Sequence, residues 1–424
     1  MGVYKADWER IHHEKTVVDL HNHSSLKAFL FGRDLTKKKF KFLSTLFKGK
    51  FWPFSARNNF DMMKKGGLDV MLSTAYATEQ GWVDDISLIK WLLYLTPSVR
   101  RKAFKPSYFD ITMSMLDEIE TQADKHNSEN LPENHIKMAY SVTELESYLN
   151  NKIPCIVHAV EGAHSLHGPI SGKKVEDCKS DPKEVEKEML ANLEHLYDRG
   201  VAYLGIAHFY PNHCAYPVFP YPDYGLKHLD WKEALGRWDT TKGLTDIGIK
   251  VVEKMLDFGM IIDICHCTPR ARSQIYEIVE SSGRKNCVMS THTGVYAVNP
   301  DPYNLEDWEI KWIADNGGAI GMIFMNYWLS PTDTKMGLKY LSQTLEHLVN
   351  VGGIDVPAIG TDFDGFTDPP EEIINMSQLP RFTKFMMAEY KGVGVPKYSE
   401  SDMEKILGGN ALRVLLNGWR KDQS

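Results

Sequence analysis

The sequence contains eight short apolar runs that are separated by segments with helical spacing. The runs are rich in Val, Ile, Leu and Met and do not alternate strictly with polar residues, which is typical of parallel strands buried on both faces. They are Val17–His21, Leu68–Ala75, Cys155–Glu161, Ala202–His208, Met260–His266, Cys287–His292, Ala319–Phe324 and Pro357–Asp362. Eight such strands with helices between them predict an α/β fold, the (β/α)₈ TIM barrel.

The segments between the runs carry helix start signals. Asp181 and Thr268 each precede a proline, so that a capping residue is followed by proline at the first helical position. A barrel of this type takes about 250 residues. The 424 residues of this chain therefore predict a single domain, residues 1–424, with insertions near 27–54 and 82–151.

The composition excludes several classes of partner. The chain is 43% hydrophobic and 25% charged, which is ordinary for a globular protein. Its formal net charge of -7 gives no general attraction to nucleic acid or to an anionic membrane. The N-terminal segment has no signal-peptide core, no stretch is long and apolar enough to span a bilayer, and the 6 cysteines show no paired framework. We therefore expect a cytoplasmic protein that binds a small-molecule substrate, with no nucleic-acid or membrane partner; a homodimer is compatible with the sequence.

Residues that can bind a metal stand at the ends of six of the eight runs. Active sites of such barrels lie at the C-terminal ends of the strands. The residues at these ends are His21, His23, Glu161, His208, His266, His292 and Asp362. With 16 histidines in the chain, one or two such placements could be chance, but this number is hard to ascribe to chance. Five other histidines lack the pattern and are interpreted as surface residues: His12, His13, His126, His135 and His195.

These residue types predict a metal centre. Residues two apart in a strand share a face, so His21 and His23 are expected to project together. Imidazoles and carboxylates suit Zn²⁺ or a similar divalent ion, and the set is larger than one ion needs. We therefore predict two divalent ions, with Zn²⁺ as the expected metal and Glu161 as the bridging carboxylate. Two ions about 3.5–4 Å apart can share a hydroxide, and Asp362 beside it could both ligate a metal and move a proton.

Two neighbours of these residues need separate interpretation. Strand alternation would place Cys265 on the face opposite His266, so Cys265 is interpreted as a core residue and Cys267 as the start of the next loop. Asp364 lies in the turn after Asp362, and it is expected to support the site rather than to bind a metal.

The ordered motifs resemble the renal, or membrane, dipeptidase family, which are zinc peptidases of the amidohydrolase superfamily. The resemblance runs from about His21 to Gly365. It rests on the histidine of the first run, Glu161-Gly162, His208, Asp263-x-x-His266, Ser290-Thr291-His292 and Gly360-x-Asp362-Phe363-Asp364-Gly365. The order of the motifs and their coincidence with strand ends make the match fairly specific.

The resemblance implies a binuclear zinc site on a (β/α)₈ barrel and the hydrolysis of a dipeptide or related small amide bond by a zinc-bridged hydroxide. One metal would be held by His21, His23, Glu161 and Asp362, and the other by Glu161, His266 and His292. His208 would contact substrate and stabilise the oxyanion, and Asp362 would pass the proton of the hydroxide to the leaving amine. The family has aspartate where His23 stands, and imidazole is also a good zinc ligand.

Besides His23, the sequence differs from the family at the residues that bind the substrate. The family has an arginine followed by asparagine that bind the substrate carboxylate, and the matching residues here are Tyr303 and Asn304, which we predict to contact substrate. Tyrosine offers one neutral hydroxyl in place of a planar cationic fork. We therefore predict that a free α-carboxylate is not selected as in the family, unless Arg270, Arg272 or a lysine of residues 37–50 replaces the arginine.

Two other functions are compatible with the same residues. The stretch His21-Asn22-His23-Ser24-Ser25 also resembles the first motif of phosphoesterases of the polymerase-and-histidinol-phosphatase type, which end in a late Asp-x-His motif, whereas this chain has Gly-Thr-Asp-Phe-Asp-Gly. The remaining alternative is a non-catalytic, metal-stabilised barrel that binds a ligand. Assays with phosphate esters, dipeptides, acylated amino acids and lactones separate the three.

Overall fold

Eight parallel strands are buried along their whole length. The computed structural model describes residues 4–37, 56–81, 91, 93–104, 106–167, 181–218, 239–330, 337–365, 368–388 and 398–419. The strands of this part of the chain are β1 (Val18–Asn22), β2 (Val70–Ala75), β3 (Lys137–Ala139), β4 (Cys155–Val160), β5 (Val201–Gly205), β6 (Ile261–Asp263), β7 (Val288–Thr293), β8 (Ala319–Ile323) and β9 (Pro357–Gly360). All except β3 are buried at every residue, as their apolar composition predicts.

The strands close into a ring. The order of neighbours is β2-β1-β9-β8-β7-β6-β5-β4, and β2 pairs in parallel with β4 to complete the circle. The predicted (β/α)₈ barrel is therefore confirmed, and each of the eight apolar runs overlaps one of its strands to within one residue at the ends where the strand extends further. The short strand β3, which was not predicted, pairs with the first three residues of β4, whereas β5 pairs with β4 from His158 onward.

Helices connect the strands. They are α1 (Asp7–Glu14), α2 (Ser24–Phe31), α3 (Phe60–Lys65), α4 (Pro97–Phe104), α5 (Tyr108–Glu129), α6 (Val142–Asn150), α7 (Pro182–Asp198), α8 (Asp246–Phe258), α9 (Pro269–Ser282), α10 (Asp307–Asp315), α11 (Asn326–Leu329), α12 (Gly337–Gly352), α13 (Pro380–Met386), α14 (Glu400–Glu404) and α15 (Asn410–Gly418). The predicted caps are present: the side chain of Asp181 accepts a hydrogen bond from Lys183 N and that of Thr268 from Ala271 N. None of the described helices combines the length and apolarity that a bilayer crossing requires.

The core has two parts. One apolar cluster takes residues from nearly every strand, among them Val18, Tyr203 and Met289, and includes Trp419 at the end of α15. The larger cluster packs the outer side of the strands against the surrounding helices. With one end of the barrel filled by apolar side chains, the polar strand ends lie at the other end.

Three sequence expectations need comment. The second predicted insertion, 82–151, contains α4, α5, β3 and α6, and residues 38–54 of the first lie outside the described part of the chain. The interpretation of His12 as a surface residue is wrong. Its ring is buried because α1 packs on α13, and its nitrogens are 2.7 Å from Thr383 Oγ1 and 2.7 Å from Gly66 O.

Candidate metal centre

Seven side chains predicted from the strand ends converge at one end of the barrel. His21 lies in β1 and His292 in β7, whereas the others follow their strands by one to three residues. None of the seven is more than 5% exposed. The set consists of His21, His23, Glu161, His208, His266, His292 and Asp362.

The carboxylate of Glu161 lies between two pairs of imidazoles. Its Oε1 is 3.2 Å from His266 Nε2 and 3.3 Å from His292 Nε2, and these two nitrogens are 3.0 Å apart. Its Oε2 is 3.3 Å from His23 Nε2, which is 3.0 Å from the Nε2 of His21. Oε1 is also 3.5 Å from His21 Nε2, so the carboxylate lies among all four imidazoles, with His266 and His292 nearest to Oε1 and His23 nearest to Oε2. A carboxylate in this position is suited to bridge two metal ions.

The donor atoms fit two divalent ions. The ligand atoms of His21, His23 and Asp362 lie within 4.8 Å of one another, and so do those of Glu161, His266 and His292. The buried Oε1 of Glu161 receives no hydrogen bond from the described residues. A buried carboxylate oxygen without a partner is costly. A cation between these nitrogens and oxygens removes that cost, and the donor set is one that Zn²⁺ favours.

The charges within the cluster balance one another. Burial disfavours the charged form of Glu161, but His208 and His21 beside it hold the pKa of its carboxyl well below the usual range. Burial also opposes a charge on His23, yet the carboxylates of Asp362 and Glu161 outweigh it and raise the pKa of His23 to about 9. Burial lowers the pKa of His266 to about 4. Burial opposes a charge on His292 as well, but Cys265 and Glu161 raise its pKa well above the usual value. Divalent ions must therefore displace protons from His23 and His292, so metal affinity should rise with pH.

His208 is oriented by a glutamate that the sequence reasoning missed. The Oε2 of Glu79 is 2.7 Å from His208 Nδ1, and its Oε1 accepts the backbone N–H of Tyr210 at 2.9 Å. The other ring nitrogen of His208, Nε2, is 3.5 Å from Glu161 Oε2. Glu79 stands four residues after β2, which, like β8, is a barrel strand that contributed no predicted residue. A search that included the loop after each strand would have found this carboxylate.

The position of Asp362 depends on an unusual backbone. Its φ is 54°, in the left-handed region that Asp and Asn tolerate better than most residues, and its N–H donates to His21 O at 2.9 Å. Its Oδ1 is 3.3 Å from His23 Nε2. A Cβ at Gly365 would lie 2.2 Å from that Oδ1, so only glycine leaves room for the carboxylate at this turn.

Asp364 supports the site from behind, as predicted. Its Oδ1 accepts hydrogen bonds from Lys27 Nζ at 2.9 Å and Arg57 N at 3.0 Å, and its Oδ2 accepts from Arg33 Nη1 and Asn58 N, both at 3.0 Å. Burial works against its charge, but Lys27 and Arg33 lower the pKa of Asp364 to about 2. With four donors on its two oxygens, Asp364 ties the loop after β9 to the segment before α3.

Tyr303 and Asn304, the predicted substrate contacts, are both buried in the loop after β7. The hydroxyl of Tyr303 donates to His292 O at 2.5 Å, and its ring stacks on Trp328 with centroids 3.9 Å apart. The amide of Asn304 donates to Asn299 O and Trp328 O, both at 2.9 Å, and accepts from the backbone of residue 294. Both side chains thus hold the loop, and their contact with substrate stays a prediction.

The arginines proposed as substitutes for the family's arginine lie elsewhere. Arg272 is fully buried and pairs with both carboxylate oxygens of Glu309, at 2.6 and 3.0 Å. Its Nη1 also donates to Cys267 O and Pro302 O. Arg270 is exposed at the start of α9. The guanidinium of Arg272 therefore holds the loop that carries Tyr303 and is not available to bind a substrate carboxylate.

The reason given for the orientation of Cys265 is wrong. Strand β6 ends at Asp263, so strand alternation does not extend to Cys265 and His266. His266 instead has a φ of 63°, which turns its ring toward Glu161. The Sγ of Cys265 accepts the backbone N–H of His292 at 3.2 Å. Cys265 thus packs against β7, the core role that was predicted, through a loop conformation.

Similar folds occur in solved structures of peptidases. A metallopeptidase from Rhodobacter sphaeroides, liganded with a phosphinate mimic of the dipeptide L-Ala-D-Ala, aligns with a TM-score of 0.68 at 18% identity and covers 96% of this chain and 99% of that one. The probable dipeptidase PvdM from Pseudomonas aeruginosa aligns with a TM-score of 0.67 at 18% identity, over 97% of each chain. Likeness at this identity shows a shared fold.

Sequence relatives match parts of the chain. A protein of Klebsiella pneumoniae named "Uncharacterized protein in pqqA 5'region" is 31% identical over 189 residues, 44% of this chain and 65% of that protein. Dipeptidase tcpJ of Claviceps purpurea is 27% identical over 176 residues, 41% of this chain and 38% of that protein. The chain thus spans less than two thirds of the length of these relatives.

The C-terminal half of the barrel carries the family signal. The model of the membrane dipeptidase family, peptidase family M19, matches residues 183–419, more than half of the 424 residues. This range contains His208, His266, His292 and Asp362. The chain therefore belongs to the membrane dipeptidase family.

Proposed function

We propose that this protein hydrolyses a dipeptide or a related small amide with two divalent metal ions, Zn²⁺ first among them. The observation that carries the proposal is the carboxylate of Glu161, whose Oε1 is 3.2–3.3 Å from the Nε2 atoms of His266 and His292 and whose Oε2 is 3.3 Å from His23 Nε2. Family membership supports hydrolysis as the reaction class. One ion would be held by His21, His23, Glu161 and Asp362, and the other by Glu161, His266 and His292.

The metal ions supply the electrophilic part of the chemistry. When bound, divalent ions polarise a substrate carbonyl and lower the pKa of water. The protein's own groups must then move protons. Asp362, whose Oδ1 lies 3.3 Å from His23 Nε2, would accept the proton of the attacking water and deliver it to the leaving amine.

His208 would stabilise the negative charge that develops on the carbonyl oxygen. Burial lowers the pKa of His208 to about 4, so the ring is neutral in the resting protein. Glu79 holds Nδ1 at 2.7 Å, which leaves Nε2 facing the centre. Burial raises the pKa of Glu79, so its carboxyl can hold the proton shared with Nδ1 and leave the Nε2–H of the neutral ring to donate to the oxyanion.

A substrate panel tests the proposal. Protein loaded with Zn²⁺ should hydrolyse at least one member of a set of dipeptides, acylated amino acids and lactones, and a chelator should abolish turnover. Phosphate esters should not be cleaved. Cleavage of phosphate esters instead would favour the phosphoesterase alternative, and full metal content without turnover on any substrate would favour a non-catalytic barrel.

We expect little preference for a free α-carboxylate. A charge-assisted hydrogen bond contributes ~1.5–3 kcal/mol, or about 10-fold or more in kcat/KM. Because Tyr303 is buried against Trp328 and Arg272 is committed to Glu309, the described residues after β7 offer no such bond. For a matched dipeptide acid and amide, the ratio of kcat/KM should stay below about 10. Tyr303→Phe serves as control and should leave the ratio unchanged. A strong preference for the acid would show that another cation of the protein binds the substrate's α-carboxylate.

His23→Asp should change the pH dependence of turnover. The replacement adds a negative charge beside Glu161 and Asp362, which lie 3.3 Å from His23 Nε2. More negative charge makes deprotonation at the centre less favourable, so the limb of the pH–rate profile that rises with pH should move to higher pH. Thermal stability should also become more dependent on added metal, because three carboxylates then repel one another. An unchanged profile with unchanged metal content would contradict the assignment of His23.

The described cysteines are compatible with the expected compartment. Cys155, Cys214, Cys265, Cys267 and Cys287 are free and buried, and Cys178 lies outside the described residues. We propose a reducing, cytoplasmic location on this basis. Labelling the unfolded protein from cells with a thiol reagent would test whether these residues are reduced.

A further inference from the structure

The hydroxyl of Thr291 lies between two imidazoles that belong to different halves of the candidate centre. Its Oγ1 is 3.1 Å from the Nδ1 of His21 and 2.9 Å from the Nδ1 of His292. His21 groups with His23 and Asp362, and His292 groups with Glu161 and His266; the two rings also meet in a third group, with Asp263, on the side where Thr291 lies. Thr291 is fully buried, so no solvent competes for these contacts.

A count of donors fixes the direction of these hydrogen bonds. The hydroxyl of Thr291 donates its single proton to Asp263 Oδ2 at 2.7 Å. The other carboxylate oxygen of Asp263 accepts the backbone N–H groups of Thr291 at 3.0 Å and of Cys265 at 3.2 Å. Because the hydroxyl proton of Thr291 is donated to Asp263, Oγ1 can only accept hydrogen bonds from the two imidazole rings. Each ring must therefore carry its own proton on Nδ1.

With a proton held on Nδ1, Nε2 is the nitrogen that each ring can offer to a metal ion. A neutral imidazole with its proton on Nδ1 presents a lone pair at Nε2, the form a metal ion requires. The Nε2 of His292 is 3.3 Å from Glu161 Oε1, and that of His21 is 3.5 Å from the same oxygen. His21 has a second acceptor, because Tyr203, which donates to Leu20 O, places its hydroxyl 2.9 Å from His21 Nδ1.

We propose that Thr291 is a positioning residue that sets the tautomer of one histidine in each half of the centre, His21 and His292, through its hydrogen bond to Asp263. The inference rests on the proposed two-metal centre and not on the identity of the substrate. Loss of the hydroxyl should weaken metal binding at both halves. The effect should be larger at His292, since Tyr203 remains as an acceptor for His21.

The chain contains a matched control. Asp19 holds Thr361 as Asp263 holds Thr291: Thr361 N donates to Asp19 Oδ1 at 2.8 Å, and Thr361 Oγ1 donates to Asp19 Oδ2 at 2.7 Å. Thr361 also precedes a predicted ligand, Asp362. Its Oγ1, however, accepts the backbone N–H of Phe363 at 3.2 Å and makes no hydrogen bond to an imidazole among the described residues. Removing the hydroxyl of Thr361 therefore breaks a similar hydrogen bond to an aspartate but should not change the tautomer of any histidine.

The test compares Thr291→Val, Thr291→Ser and Thr361→Val in the full-length chain. Affinity for Zn²⁺ is measured by competition with a chelator, and the Cd²⁺-loaded protein, labelled with ¹⁵N-histidine, reports which ring nitrogen carries the proton. Thr291→Val should bind metal about 10–100-fold more weakly, as expected for loss of a partner behind a ligand. It should also lose the protected Nδ1–H signal of His292. Thr291→Ser should restore both properties, and Thr361→Val should keep Nδ1–H signals and affinity close to wild type.

Each remaining outcome counts against the proposal. Equal losses of affinity in Thr291→Val and Thr361→Val, with Nδ1–H signals intact, would show that the hydroxyl only supports the loop. Wild-type affinity and spectra in Thr291→Val would overturn the inference while leaving the two-metal centre standing. A wild-type protein that takes up no metal would overturn this inference and the proposed function together.

Discussion

Glu161→Ala should abolish the pairing of two metal ions and with it most of the amide hydrolysis. Both oxygens of Glu161 face imidazole nitrogens, Oε1 toward His266 and His292 and Oε2 toward His23. Removing the carboxylate takes one ligand from each half and leaves more positive charge uncompensated. Metal ions contribute several kcal/mol to such reactions, so the rate should fall by about 10³-fold or more. Metal content by elemental analysis and kcat/KM on the best substrate measure the two effects.

Two further variants make this result interpretable. Glu161→Gln keeps the volume of the side chain and removes its charge, so it separates the loss of the ligand from the collapse of a cavity. Glu186→Ala removes a partly exposed carboxylate that pairs with Lys250 in α8, away from the strand ends that form the candidate centre, and it should retain both ions and full activity. Two equivalents of metal in Glu161→Ala would refute the bridging role.

Asp362→Asn should keep its metal and lose about 10²–10⁴-fold in kcat, the usual contribution of a general acid–base group. Asparagine has nearly the same shape, can offer its amide oxygen to a metal, and tolerates the φ of 54° at this position. It cannot accept a proton from water or return one to a leaving amine. Full metal content with a low kcat, measured at saturating substrate, is the expected pattern.

The neighbouring aspartate provides the control for Asp362. Asp364 also has a positive φ, at 69°, but its oxygens are bonded to Lys27, Arg33 and two backbone N–H groups. Asp364→Asn should therefore lower the free energy of unfolding, because two buried cations lose their counter-charge. A near-normal rate in Asp362→Asn with full metal content would rule out its proton-transfer role.

The strands and their order were accessible from the sequence because they depend on local composition. Runs such as Cys155–Glu161 are apolar on both faces, and only a parallel sheet covered on both sides buries them throughout. The helix caps at Asp181 and Thr268 are equally local signals. Once the barrel was predicted, residues at strand ends such as Glu161 and His292 had to lie at the same end, whatever their separation along the chain.

The directions of the side chains were decided by tertiary structure. The register of β1 against β2 slips by one residue between Asp19 and Asn22, a stretch that contains His21. The same slip occurs in β7 against β8 between Ser290 and Thr293, around His292. Such bulges re-aim a side chain, and they arise from pairing with a neighbouring strand rather than from the residues of one strand.

The partners behind the ligands were also hidden from the sequence. Glu79 reaches His208, Thr291 reaches His21, and Tyr303 turns its hydroxyl to the backbone of His292. The contacts of Glu79 and Thr291 each join two different strand–loop segments, so they exist only when the barrel has closed. The contact of Tyr303 holds the loop after β7 against its own strand. By itself the sequence determined the barrel and the set of residues at its polar end. Which atoms face the centre, and which side chains hold them there, was decided by tertiary structure, because those directions depend on strand register, on the left-handed backbone at His266 and Asp362, and on contacts between distant loops.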